Sequence, residues 1–442
     1  MLKYTYERIN LIYDYIRSEE FLKLARFKET SFSSLKKLSL EETVLSSLGG
    51  KGKILKMDVR NYFIERNYDF SMTRQGYTKQ RLNLNPEAFK ILNYHHVDHI
   101  YKHEEELETK KGYLVFAVDG SDILLPTTPA TLAVYGNTSK KGVTKVAQGS
   151  LSCIYDVYNK INLQACFNRN KYSERQSLKD GFSEIKGFLQ SRKIIVIMDR
   201  NYFSLEMLYY FMYDLNKSFI FRIREKDLTK EKGQMSKNDK TIEIILDRAR
   251  INMYRKSEIY DTLKKIKSIK VRLVKYKLNT GETEYLLTNL SPDEFNTNEI
   301  GELYFERWSI ESSYDLLKNS LQMENFTGKT PQLIEQDIYA TLYLSNIVQD
   351  CIWEAELKNK AEGRYDSFKY EMKINQNITI GIIKEDFIDM ILEEDEEKKE
   401  KKYLKIIDEI RKNIIPIRPG RKNQRNKNPK RQKYPMNKKK SF

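Results

Sequence analysis

Cysteine is scarce in this chain: Cys153, Cys166 and Cys351 are the only three in 442 residues. They show no metal-ligand spacing and argue against a disulfide framework, which fits a reducing compartment. No apolar run approaches the ~18 residues of a membrane span. The opening "MLKYTYERINLIYDYIRSEE" is charged throughout and holds no signal-peptide apolar region, so a cytoplasmic location is expected. Acid is missing from the other end. From Arg411 to Phe442 there are 13 Lys or Arg and no Asp or Glu, so of the net +16 the first 410 residues carry only 16 − 13 = +3. Such a one-signed polar segment reads as a disordered arm able to screen phosphates.

What is present is a globular composition, 40% hydrophobic and 32% charged, long enough for two or three domains. The first hundred residues look helical. "TYERINLIYDYIRSEEFLKLARF" has apolar spacing near 3.6, and "SLEETVLSSLGG" has a helical pattern that ends at Gly49-Gly50. In "SMTRQGYTKQRLNLNPEAFKILNYHHVDHIYKHEE" a short helix precedes a break at Pro86 and a second helix. Arg74, Lys79 and Arg81 belong to a dense polar and basic set there, suited equally to a helix lying on a duplex and to a solvated face.

The texture changes at Gly112. "YLVFAVDG" is an apolar run ending in Asp119, as expected of a strand buried on both faces. "SLSCIYDVYNKINLQACF" reads as a hairpin turning at Asn159-Lys160, and "SERQSLKDGFSEIKGFLQ" as a helix capped at Ser173. "KIIVIMDRNYFS" gives a second strand ending in Asp199, and "SFIFRIR" a third. The order predicts a mixed α/β sheet flanked by helices. Residues 226–290 look like a β-rich insertion, with "SIKVRLVKYKL" and "TEYLLTNL" around "NTGE". The expected division is a helical N-terminal domain at 1–110, an α/β domain at 111–350, a C-terminal helical region at 351–410 and the basic arm at 411–442.

Asp119 and Asp199 are each the first charge after an apolar strand. A bare carboxylate there needs a cap, a basic partner or a metal to offset its burial. The stretch "YFERWSIESSYDLLK" reads as a helix on which Tyr304, Arg307, Glu311 and Lys318 fall within an arc of about 60°. Leu303, Ile310, Tyr314 and Leu317 would form its buried face beside that stripe. Taken alone, the stripe fits an Arg307–Glu311 ion pair on an amphipathic helix. Taken with two strand-end aspartates, it fits an oxygen-ligand site for Mg²⁺ or Mn²⁺. Asp122 is a rival to Asp119 as first ligand.

These residues resemble the DDE transposases of bacterial insertion sequences. "YFERWSIESSYDLLK" fits their Y-x2-R-x3-E-x6-K pattern without a gap; "AVDGS" and "VIMDRNYFS" resemble the segments of their two aspartates, and "TRQGYTKQRLNLNPEAF" their DNA-binding segment. The resemblance covers roughly residues 70 to 350. It implies an RNase H-like catalytic core, an N-terminal DNA-binding domain, and Asp119, Asp199 and Glu311 as catalytic ligands of two Mg²⁺, with Mn²⁺ able to substitute. It further implies nicking at element ends, attack of the freed 3′-OH, and Tyr304, Arg307 and Lys318 as grips on DNA, with Arg74, Lys79 and Arg81 as further DNA contacts. A homodimer would hold two double-stranded DNA ends, in the bacterial cytoplasm at the nucleoid. A silent DNA-binding repressor and an RNase H-like nuclease or resolvase are the alternatives. Asn201 departs from the glycine frequent in relatives, and Tyr254 is the candidate for an aromatic wedge against a flipped base.

All four histidines lie in "HHVDHIYKH". His95, His99 and His103 are spaced by four on one helical face. Zinc is the sharp reading of that spacing, and surface or interface histidines the favoured one.

Overall fold

The computed structural model describes residues 4–33, 38–50, 54–69, 71–103, 107–138, 145–278 and 281–418. Its centre is set by eight strands among those residues, the inner ones too apolar to expose either face. These are β1 (Leu114–Leu124), β2 (Gln148–Asp156), β3 (Ile161–Arg169), β4 (Ile194–Met198), β5 (Ser218–Ile223), β6 (Asp239–Ile245), β7 (Ser268–Lys277) and β8 (Thr283–Thr288). They form one sheet in the order β3-β2-β1-β4-β5-β8-β7-β6. β1, β4 and β5 run parallel, and the remaining pairs are antiparallel. The order 3-2-1-4-5 of the first five strands is the RNase H-like arrangement, flanked here by helices.

Period-two alternation divides each central strand between two cores. Val115, Ala117, Ile195 and Ile197 enter one core, together with Ile310 and Leu317 of the later helix. Leu114, Phe116, Val118, Ile194, Val196 and Met198 enter the other, with Leu178 and Phe182. The β-rich stretch at 226–290 is no separate module, because β8 pairs with β5 and so continues the main sheet. Leu286 and Leu287 of β8 are both fully buried, on opposite faces, so β8 closes an edge that β5 alone would leave open.

Six helices precede β1: Tyr4–Ile16, Glu19–Ala25, Leu40–Leu48, Leu55–Glu65, Arg74–Arg81 and Glu87–Tyr101. Their apolar residues run into the same core as those of helices Pro331–Ala361, Gln376–Ile391 and Glu396–Lys412. Arg8 and Asp350 form a buried ion pair across that joint, at 3.0 and 2.5 Å. The expected boundaries at 351 and 411 both fall inside helices, Pro331–Ala361 and Glu396–Lys412. A short pair, β9 (Met372–Ile374) and β10 (Ile414–Pro416), follows. The basic arm from residue 419 on lies outside the described residues.

The histidines separate by burial. His96 is fully buried, its Nε2 3.3 Å from Asp350 Oδ2. His95 packs on Tyr15 and His103 on Tyr4, ring centroids 4.2 and 4.1 Å apart. No helix among the described residues is long and apolar enough to cross a membrane, and the three cysteines are buried free thiols.

Candidate active site

Asp119 lies in the middle of β1 and does not end it. The strand continues to Leu124 because its antiparallel pairing with β2 continues, Asp119 opposite Cys153 and Leu124 opposite Gln148. What stops at this point is the parallel partner: the last β1–β4 pair is Val118 with Met198. Asp119 and Asp199 are therefore the next residues on two adjacent strands. By alternation both continue the series Val115-Ala117 and Ile195-Ile197, on the face covered by the helix that follows. Asp122 has the opposite parity to Asp119 and is exposed.

The turn after Asp199 needs no glycine. Asn201 is not among the residues with positive φ. Its N–H donates to Asp199 Oδ1 at 2.8 Å.

The stretch Tyr304–Lys318 is less regular than one helix. An α-helix, Thr297–Phe305, tightens into a 3-10 turn at Glu306–Trp308, resumes at Ser309–Asp315 and widens into a π turn at Leu316–Ser320. Leu303, Ile310, Tyr314 and Leu317 are buried as their spacing predicts. Tyr314 donates its hydroxyl to the carbonyl of Asp119 at 2.8 Å and is 3.1 Å from that of Leu151, which fixes the helix on β1 and β2. Tyr304 and Arg307 lie deeper than the core boundary, 4% and 7% exposed. Arg307 stands among the carboxylates, 3.8 Å from Asp119 and 3.6 Å from Glu311. Lys318 donates to Ser121 Oγ at 2.7 Å and to the carbonyl of Asp122 at 2.6 Å.

Burial is the main reason the Asp119 carboxyl is pushed up to about 6. The Gly120 N–H and Arg307 pull it down, while Asp199 and Glu311 push it further up. A fourth acid, Glu174, faces the same place. It is the first residue of the helix Glu174–Glu184, capped by Ser173, and its carboxylate lies against Gly120. Burial, then the charges of Asp199, Asp119 and Asp122, raise its carboxyl above the ordinary range. Nothing in the linear pattern marks Glu174, because it approaches from the other face of the sheet.

The donors are oxygen-only, which fits a hard divalent cation. Among the described residues, no group of three or more His, Cys, Asp or Glu stands in a metal-holding arrangement. Arg307 supplies the positive charge between Asp119 and Glu311 in this structure.

The remaining sequence-predicted residues are placed differently. Arg74 and Lys79 are exposed on the helix Arg74–Arg81. Arg81, from the same helix, is 2% exposed and is held by Asp337 at 2.8 Å, by Gln336 at 3.1 Å and by Thr327. It joins the N-terminal helices to the helix Pro331–Ala361 and presents no free guanidinium to a duplex. Tyr254 is buried, and its hydroxyl accepts the N–H of Leu205 at 3.1 Å.

An RNase H-like sheet with two aspartates on adjacent parallel strands and a glutamate brought over them by a helix defines the class of DDE nucleotidyl-transfer domains. Residues 110–347 match the family model described as the transposase DDE domain, and the chain belongs to that family. It is 24% identical over 243 residues to the transposase InsG for insertion sequence element IS4 of Escherichia coli strain K12, covering 54% of this chain and 52% of that protein. A stretch of 67 residues is 33% identical to the putative transposase InsL for insertion sequence element IS186A of the same strain, 15% of this chain and 18% of that one. The chain thus spans about half the length of the first relative and less of the second. Among solved structures, a piggyBac transposase synaptic complex with hairpin DNA aligns over 90% of this chain and 84% of that one, with a TM-score of 0.43 and 9% identity.

Proposed function

We propose that the protein is the transposase of a bacterial insertion sequence, cutting DNA at the ends of its element and joining the freed 3′-OH to target DNA. The observation that carries this reading is the convergence of Asp119 and Glu311 on Arg307, with Asp199 beside Asp119. Asp119, Asp199 and Glu311 would hold two Mg²⁺, or Mn²⁺. The chemistry such ions would supply there is activation of an attacking water and stabilisation of the leaving oxygen.

The chain's own residues do the rest. Arg307 exchanges its carboxylate neighbours for a phosphate, gripping it with paired donors. Lys318, seated on β1, adds a point charge at one side of the same phosphate run. Tyr304 is buried beside Arg307. Arg74 and Lys79 contact duplex backbone, and two copies of the chain bring two ends together.

The test uses purified protein, Mg²⁺ and oligonucleotides carrying the inverted repeats that the proposal requires on either side of the gene. Metal-dependent nicking at the repeat end, lost in Asp199→Ala, is the expected result. Undiminished nicking by that variant sinks the assignment. Tight binding with no nicking at all favours a repressor, and equal cleavage of unrelated duplexes favours a general nuclease.

A further inference from the structure

The loop after β4 is tied from two sides. Arg175 donates Nε to the carbonyl of Asn201 at 3.0 Å and Nη2 to that of Phe203 at 2.9 Å. Arg224, the residue after β5, donates Nη2 to Asn201 Oδ1 at 2.8 Å. Between Asp199 and this tied asparagine sits Arg200, which is exposed. Beyond Arg224, Lys226 is also exposed. Neither side chain makes an ion pair or hydrogen bond among the described residues. Together they border an open cleft of about 790 Å³ lined by Arg200, Asn201, Arg224, Glu225, Lys226 and Thr229.

Three cations against one carboxylate give this cleft an excess of two positive charges. Its lining holds no aromatic or aliphatic side chain, so it has nothing to stack on a base. Its openness and sign suit a polyanion's backbone, read without regard to sequence. Its place in the fold is definite. Lys318 and Arg307 sit over β1, whereas the cleft lies at the end of β5, with β4 and Asp199 between. Strands are about 4.8 Å apart, so β1 and β5 are separated by about 10 Å, close to the axial rise of about three nucleotides of one strand.

We propose that this cleft is a second phosphate subsite, holding the DNA backbone as it runs past the carboxylates on the side away from Arg307 and Lys318. The proposal rests on the reading of the protein as a transposase. Arg200 and Lys226 make the contacts. Arg224 and Arg175 are positioning residues that fix the loop so that Arg200 meets the backbone next to Asp199.

The experiment compares the full chain with Arg200→Gln/Lys226→Gln and with Lys264→Gln/Lys265→Gln, two exposed lysines of the helix Tyr260–Lys265 that carry the same charge loss elsewhere. Affinity for an element-end duplex and for an unrelated duplex is measured over a series of salt concentrations, with circular dichroism as the check on folding. In the cleft variant the slope of log K against log salt falls by about 2, equally for both duplexes, and in the control by a small fraction of that. A cleft variant indistinguishable from the control overturns the proposal. Nicking by the parent protein is scored in parallel. Loss of slope in the cleft variant with no nicking by the parent keeps the subsite and removes the transposase reading. Nicking with an unchanged slope does the reverse.

Discussion

Arg8 and Arg307 are both nearly buried, and each has a buried or half-buried aspartate beside it. Arg8 meets Asp350 through two hydrogen bonds, 3.0 and 2.5 Å, with Thr5 at 3.0 Å and His96 at 3.3 Å completing the shell. Despite the cost of burial, Arg8 and these hydrogen bonds hold the Asp350 carboxyl well below the usual carboxylate range. Arg307 stands 3.8 Å from Asp119, beyond hydrogen-bond reach, and shares itself with Glu311 at 3.6 Å. There burial wins and the Asp119 carboxyl rises to about 6. One pair is a closed structural charge; the other is an acidic cluster whose cation is loosely held and exchangeable. What sets Asp119 apart from a buried carboxyl such as Asp156 is its company: Asp199 and Glu311 beside it and no side-chain hydrogen-bond donor within reach, a charge imbalance that the proposed cation would relieve.

The largest expected effect breaks the second pair. On the proposed mechanism Asp119→Asn loses nicking by about 10³-fold or more, since it would remove a ligand and the several kcal/mol of charge stabilisation a metal site supplies. Its urea midpoint should stay equal or rise. A variant that nicks normally would make Asp119 a bystander. The next effect breaks the first pair. Asp350→Ala removes the carboxylate that faces the buried Arg8, at about 3–5 kcal/mol of stability, read by urea unfolding. Nicking per folded molecule should be unchanged. A loss below about 1 kcal/mol would mean that the buried pair is not closed after all.

These two aspartates also show what the sequence could carry. Asp119, Asp199 and Glu311 were legible as candidates because a charge after an apolar run, and a carboxylate on a helix stripe, are local patterns. The place of Asp119 within β1 was not legible: the strand's length is set by pairing with β2, whereas the end that matters is where β4 stops. Arg81 looked like its neighbours Arg74 and Lys79. Its burial depends on Asp337, 256 residues away. Glu174 carried no signal at all, since only sheet packing sets a helix's first residue against Gly120. The joint of N- and C-terminal helices through Arg8 and Asp350 is equally non-local, which is why domain boundaries drawn from composition cut through two helices.

A smaller effect sharpens the role of Arg307. Arg307→Gln removes charge-assisted hydrogen bonds to phosphate, about 1.5–3 kcal/mol, so kcat/KM for nicking falls by roughly 10- to 100-fold. Arg307→Lys recovers little, because a point charge cannot form the paired grip. Full activity in the lysine variant would reduce the residue to a counter-charge.

The smallest effect is in the pH dependence of stability, and its sign differs between the two aspartates. Asp350 has a depressed folded pKa, so its contribution is present above the unfolded value of about 4 and is lost as pH falls below it. Asp119 has a raised folded pKa of about 6, so the folded chain binds more protons between about pH 4 and 6 and loses stability as pH rises through that window. Asp156, buried beneath Tyr101 and Asn159 and also pushed up to about 6, acts in the same direction. In metal-free buffer Asp119→Asn should therefore recover about 2–3 kcal/mol at pH 7 relative to pH 4, leaving the share due to Asp156. Asp350→Asn should instead flatten the acid limb below pH 4. Saturating Mg²⁺ favours ionised Asp119 and should erase the difference between parent and Asp119→Asn at pH 7. If Mg²⁺ leaves that difference untouched, the cation does not bind at this carboxylate.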